Sequence, residues 1–225
     1  PGGVVLDIGC GPGLLLEPLH ERVTSEGSIH GLDLNPHFIS VAERRAEMLE
    51  LTNATFTVDD CHELPYRDEV FDAVVAEKLL MHVAPISRVL EEVKRVLVPG
   101  GRAVFIDYDP YTIMVAGPDP TITFRVMASA ARVYASPTAA RETALLCSKA
   151  GLYVEQVQGY LQVFEDPRAR TVEGVPEVWS DHAAGGHLVE ADTARRWLKA
   201  VERAARDGRF MITIPYIYTV VIRDE

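Results

Sequence analysis

The sequence has no apolar run approaching the ~20 residues that a membrane-spanning helix needs, so it reads as a soluble chain with no membrane partner. No basic stretch followed by an apolar one opens it, so no secretory leader is visible. Cysteine is scarce. Cys10, Cys61 and Cys147 lie far apart, their number is odd, and none forms a CxxC pair. That gives neither a disulfide framework nor a zinc motif, and it fits a reducing, cytoplasmic location. Basic residues are the minority, 22 Lys and Arg against 33 Asp and Glu, for a net charge of -11. A face that grips phosphate backbones is usually basic, so nucleic acid is not the expected partner. Internal repeats and low-complexity tracts are also missing.

What is present is 225 residues, 48% of them hydrophobic, enough for one large domain. Strand-like and helix-like stretches alternate over the first ~110 residues. Strands are expected at Val4 to Gly9, Ser28 to Leu34, Ala54 to Asp60, Phe71 to Glu77 and Arg102 to Asp109. The first helix is expected to slip its start toward Leu15 or Leu16, because Pro18 is tolerated only near a first turn. Asn35-Pro36 reads as an N-cap followed by proline at the first helical position. Ile86, Val89, Leu90, Val93, Val96 and Leu97 recur at helical spacing, and "VPGG" at Val98 to Gly101 is expected to stop that helix. Alternating strands and helices imply a parallel sheet covered on both faces. "AVVA" and "AVFI" are continuously apolar, as doubly buried strands should be.

The rhythm breaks at Tyr108 to Pro137, which is rich in proline and aromatics, and again over residues ~165 to 190, read as irregular. Beyond the first break the pattern predicts a helix over Thr138 to Ala150, a strand over Leu152 to Phe164, a helix over Asp192 to Asp207 and a strand over Met211 to Arg223. The expected organisation is a single domain over residues 1–225, with substrate-side insertions at about 108–137 and 165–190.

The chemistry gathers where "VVLDIGCGPGLLLEP" turns from strand to helix. Ligands of a parallel sheet bind beyond the carboxyl ends of its strands. Gly9, Gly11 and Gly13 sit there, and glycine permits a tight turn with bare backbone toward a ligand. A dinucleotide fingerprint reads G-x-G-x-x-G; here the third glycine's place holds Leu14. Asp7 would repel a pyrophosphate but suits an ammonium group, which S-adenosylmethionine carries. Asp33 ends the second strand about 20 residues past the turn, where an acid accepts from ribose hydroxyls. Asp60-Cys61 ends the third strand, where a carboxylate can accept from an adenine amine beside a free backbone N–H.

These blocks resemble the class I S-adenosylmethionine-dependent methyltransferases, in particular the small-molecule group that includes ubiquinone and menaquinone biosynthesis enzymes. "VLDIGCGPG", "GLDLNPHFISVAERRA", "DDCHELPYRDEVFDAVVA" and "EVKRVLVPGGRAVFID" follow one another in that family's order and cover residues ~4 to 107. The resemblance implies a Rossmann-like, doubly wound, seven-stranded α/β sheet, mostly parallel with an antiparallel last strand. It also implies that Gly9, Gly11 and Gly13 hold the methionine and ribose portion, with Asp7 reaching the amino group. Asp33 would bind the ribose and Leu34 pack on the adenine. Asp60 and the Cys61 N–H would meet the adenine edge, and Glu77 would border the methionine end.

The expected reaction is methyl transfer to an O, N or C nucleophile of a small molecule. A cyclisation or other non-methylating reaction on the same fold is the rival. His82 follows the fourth strand and is the candidate general base, set against a role in shaping the pocket. Tyr108 ends the fifth strand and is the candidate to orient a nucleophile, as is Asp107. No metal is expected; His182 and His187 flank a Gly-Gly loop at a spacing that argues against a ligand pair. Tyr216 and Tyr218 alternate on the last strand and read first as packing residues. The chain opens at Pro1 almost directly into a strand, so an upstream segment, a partner subunit or the two irregular stretches are expected to close the pocket. A monomer or homodimer is expected.

Overall fold

The computed structural model describes residues 1–169, 174–186 and 188–224. The chain divides into two compact units. The first comprises Pro1–Asp107, Glu142–Gln158 and Tyr218–Glu225, and the second Tyr108–Arg141 and Gly159–Ile217.

The first unit carries the parallel sheet. Its strands are β1 (Val4–Ile8), β2 (Ser28–Asp33), β3 (Ala54–Val58), β4 (Phe71–Glu77) and β5 (Leu97–Tyr108, whose last residue belongs to the second unit). They lie in the order β3-β2-β1-β4-β5, with β8 (Ile212–Ile222) beside β5. β1 pairs in parallel with β2 on one side and β4 on the other, Asp7 lying opposite both Gly31 and Val75. The strand order therefore reverses at β1, which makes its carboxyl end the ligand-binding edge. Val5, Ile29, Ala46, Leu16 and Val23 form one buried cluster, closing α1 (Leu16–Val23) and α2 (Pro36–Met48) on the sheet.

Local chemistry sets the helix starts. Pro18 falls in the first turn of α1, where a missing N–H breaks no intrahelical bond. The Asn35 side chain accepts from His37 N at 2.9 Å, and Pro36 opens α2. The α3 helix (Ile86–Val96) buries Ile86, Val89, Leu90, Val93 and Val96. "VPGG" does not separate helix from strand as expected, because β5 begins at Leu97. The β4–β5 register jumps from Phe71↔Leu97 to Ala73↔Arg102, so these residues form a bulge, with Gly100 at φ 77°. Gly100 N donates to Arg223 O at 2.8 Å and Arg223 N to Gly101 O at 2.9 Å, which fastens the bulge to the end of β8.

The second unit corrects the reading of residues ~165–190 as irregular and shows what fills the break at Tyr108 to Pro137. It contains β6 (Met114–Val115), antiparallel to β8, and two unforeseen helices, α4 (Pro120–Ala130) and α6 (Val175–Gly185). Between them in sequence come α5 (Ala139–Lys149) and β7 (Tyr153–Phe164), both expected, and β7 pairs with β8. With β6 counted the sheet has eight strands among the described residues, the seven foreseen plus a two-residue one. The α7 helix (Ala191–Arg206) sends Trp197 Nε1 to Thr123 Oγ1 of α4 at 3.1 Å. Ser129 Oγ donates to Ala183 O of α6 at 2.6 Å. A Cβ at Gly186 would meet Ser129 O at 1.9 Å, so only glycine lets the end of α6 approach α4 this closely.

Candidate functional site

The turn after β1 is built by backbone that only glycine adopts easily. Gly9, Gly11 and Gly13 have φ of 71°, 52° and 75°. Gly9 and Gly13 are also cramped. Added Cβ atoms would meet Leu79 Cδ1 at 3.0 Å and Leu16 Cδ1 at 2.7 Å respectively. Gly11 differs, since a Cβ there meets no protein atom within 4 Å. Gly11 is thus the position where the turn offers bare backbone to a ligand.

Hydrogen bonds hold the turn in place. Gly9 N and Cys10 N both donate to Leu32 O, at 2.7 and 3.0 Å. Asp33 accepts from Gly11 N at Oδ2 (2.9 Å) and from Asn35 N at Oδ1 (2.8 Å), bridging the glycine turn and the start of α2. Each oxygen keeps a lone pair for a further donor. Leu34, next in sequence, is 70% exposed, an apolar platform beside a fixed carboxylate.

Asp7, Gly9, Cys10, Gly11, Pro12, Leu14, Leu15, Glu77 and Lys78 line a cleft of about 140 Å³. Asp7 is 3% exposed. Burial, then the nearby charges of Glu77 and Asp33, push its pKa up to about 7. The single basic side chain in the lining is Lys78, whose Nζ lies 3.2 Å from Glu77 Oε1. Lys78 has φ 53°, a left-handed conformation that a non-glycine residue holds at some strain. Its N–H donates to Ile106 O at 2.7 Å, which carries the β4–β5 ladder into this turn. His82 ends the short 3-10 turn Leu80–His82 that follows, and it is exposed.

Asp60 and Cys61 stand after β3. A second cleft, about 550 Å³, is lined by Asp59, Asp60, His62, Glu63, Leu64, Pro65 and Arg88. Asp60 Oδ1 accepts from His62 N at 2.9 Å and lies 2.7 Å from His62 Nδ1. The backbone bond from His62, then its ring, hold the Asp60 carboxyl below the usual carboxylate range. Asp60, Cys61 and His62 offer possible ligand atoms within 4.8 Å of one another. Burial pushes the Cys61 thiol up to about 12.

Sequence reasoning missed the brace behind this loop. Glu92 is 4% exposed on the apolar face of α3, and its Oε2 accepts from Leu64 N at 2.9 Å. Arg95 donates to Glu92 Oε2 (2.6 Å), Tyr66 O (2.7 Å), Asp68 Oδ1 (2.9 Å) and Leu64 O (3.0 Å). The signal was a glutamate among periodic apolar residues with an arginine three positions on.

Tyr108 belongs to the second unit, where its hydroxyl lies 3.2 Å from that of Tyr134 and its ring stands edge-on to Tyr216. Tyr216 is buried, as a packing residue should be, and stacks on Tyr160. Tyr218 hydrogen-bonds Gln158 through its hydroxyl at 2.5 Å. His182 lies on α6, edge-on to Tyr134, while His187 falls outside the described residues. No helix among the described residues is long and apolar enough to cross a membrane.

A family model described as a methyltransferase domain matches residues 1–167. An uncharacterized 37.1 kDa protein of a Streptomyces fradiae transposon is 31% identical over 200 residues, covering 88% of this chain and 57% of that protein. A demethylmenaquinone methyltransferase of Bacillus mycoides is 32% identical over 114 residues, 51% of this chain and 48% of that one. The chain thus spans about half the length of the curated relatives it matches. Among solved structures, the YcgJ protein of Bacillus subtilis superposes with a TM-score of 0.67 at 20% identity, covering 99% of this chain and 92% of that one.

Proposed function

The chain belongs to the methyltransferase-domain family, and from that premise we propose that it is a S-adenosylmethionine-dependent enzyme that methylates an O, N or C nucleophile of a small molecule. The carrying observation is the Asp33 carboxylate, fixed at once by Gly11 N and Asn35 N at the end of β2. A carboxylate locked between a bare glycine turn and a helix start is preorganised to accept from two vicinal hydroxyls.

The bound cofactor supplies a methyl group already activated on a positively charged sulfur. The chain's own task is therefore to bind, orient and exclude water. In this reading Asp33 accepts from the ribose, Leu34 packs on the adenine, and Asp60 with the Cys61 N–H takes the adenine edge. Gly9, Gly11 and Gly13 lie along the methionine and ribose portion. Asp7 and Glu77 set a negative wall for the ammonium group. His82 is the general base where the acceptor must lose a proton. The partner is a small molecule rather than nucleic acid, in keeping with the net charge of -11, and the working form is a monomer or homodimer.

Calorimetry with S-adenosylmethionine, S-adenosylhomocysteine and NAD tests the cofactor. Micromolar affinity, about -8 kcal/mol, is expected for the first two and no heat for NAD. Transfer of labelled methyl from S-adenosylmethionine to a panel of phenols, hydroquinones and amines then identifies the acceptor class. NAD binding without heat from either adenosyl ligand refutes the reading.

A further inference from the structure

One group on the ligand-binding edge has no part in the scheme above. Asp107 sits near the end of β5, on the same face as Ala103 and Phe105, where an apolar side chain would be the cheaper occupant. It is 2% exposed. Its Oδ2 accepts from Leu80 N at 3.3 Å, and its Oδ1 is buried without a hydrogen-bond partner among the described residues. A buried carboxyl that keeps an unsatisfied oxygen calls for a reason beyond stability. Its electrostatic neighbours are Glu77 and Lys78, both in the cleft lining. Burial first, and Glu77 after it, push its pKa up to about 7, against the Leu80 and Met81 N–H groups and Lys78, which lower it.

The residue it holds matters. Leu80 opens the 3-10 turn that ends at His82, and Lys78 lies two residues before it in a left-handed conformation. Leu80 and Met81 are buried, so the turn is held by packing together with the Asp107 carboxyl. We propose that Asp107 is a positioning residue for the reaction: its carboxyl anchors the Leu80–His82 turn and so sets where His82 stands relative to Lys78 in the cleft lining. The proposal rests on the cofactor reading above for its functional half, while its structural half needs no ligand.

The test compares wild type with Asp107→Leu, Asp107→Ala and Asp107→Asn. Asparagine keeps an acceptor for Leu80 N; leucine and alanine do not. Amide exchange at Leu80, read by NMR, should accelerate roughly tenfold or more in whichever of the leucine and alanine variants folds, and return toward wild type in Asp107→Asn. The His82 ring signal should respond to sinefungin in wild type and Asp107→Asn and lose that response without the acceptor. Sinefungin affinity should stay within about threefold throughout, because Asp107 does not line the cleft. Unchanged Leu80 exchange, or sinefungin affinity that collapses together with it, overturns the proposal. Absence of any sinefungin heat in wild type instead refutes the cofactor reading, and Leu80 exchange then still decides the anchoring.

Discussion

Replacing Asp7 by asparagine removes a charge whose ionisation the apoprotein resists. The carboxyl is 3% exposed between β2 and β4, and burial, Glu77 and Asp33 together raise its pKa from 3.8 to about 7. A raised acid binds its proton more tightly in the folded chain. Its contribution to stability is whole below pH ~4 and is lost as pH rises through ~7. Three pH units at 1.36 kcal/mol each give at most roughly 4 kcal/mol. Asparagine is nearly isosteric and cannot ionise. The stability of Asp7→Asn minus that of wild type should therefore be near zero at pH 4 and climb toward that limit by pH 8. Taking the difference cancels His30, whose burial lowers its pKa and so favours the folded state as pH rises through its titration. Urea denaturation at pH 4, 5, 6, 7 and 8 measures it. A difference that stays flat, or falls with pH, means that Asp7 is ionised in the apoprotein and refutes the electrostatic argument. The same variant should bind S-adenosylmethionine more weakly, since it lacks the charge proposed to meet the ammonium group.

Three further outcomes follow from the geometry. Asp33→Ala removes the two proposed charge-assisted acceptors for ribose hydroxyls, each worth roughly 1.5–3 kcal/mol, so calorimetry should show S-adenosylmethionine affinity reduced at least about tenfold in a folded protein. Gly11→Ala should lower folding stability by only about 1–2 kcal/mol, because its Cβ meets no protein atom within 4 Å; cofactor affinity should fall far more, and equal affinity would mean the ligand lies elsewhere. Glu92→Ala leaves Leu64 N–H and part of Arg95 unpaired, and should cost about 3–5 kcal/mol in denaturant unfolding while touching no ligand.

The first half of the chain was legible because each signal there has one local cause. Asn35-Pro36 caps α2, the apolar period of α3 matches its buried face, and three glycines mark a turn with positive φ. The second unit was misread where the same signals were present but overlooked. Asp119 caps α4 through Ile122 N at 3.0 Å with Pro120 behind it, the grammar of Asn35-Pro36 repeated. Pro176, Trp179, Ser180 and Ala183 of α6 are buried at helical spacing, yet the surrounding prolines and glycines drew attention to breaks. At the site, residue types and strand ends pointed to Asp7, Asp33 and Asp60. The Glu92–Arg95 pair left a local sign, an acid and a base three positions apart on an apolar helix face, but its contacts to Leu64 and the Leu80 contact of Asp107 were not legible, because they join segments far apart in sequence.

A crystal structure with S-adenosylmethionine or sinefungin bound tests the central claim most directly. The account predicts the ligand against Gly11, both ribose hydroxyls within 3.2 Å of Asp33 oxygens, as hydrogen bonds require, and the adenine amine on Asp60. A ligand bound elsewhere, or a ribose that leaves Asp33 to its two backbone partners alone, would contradict it.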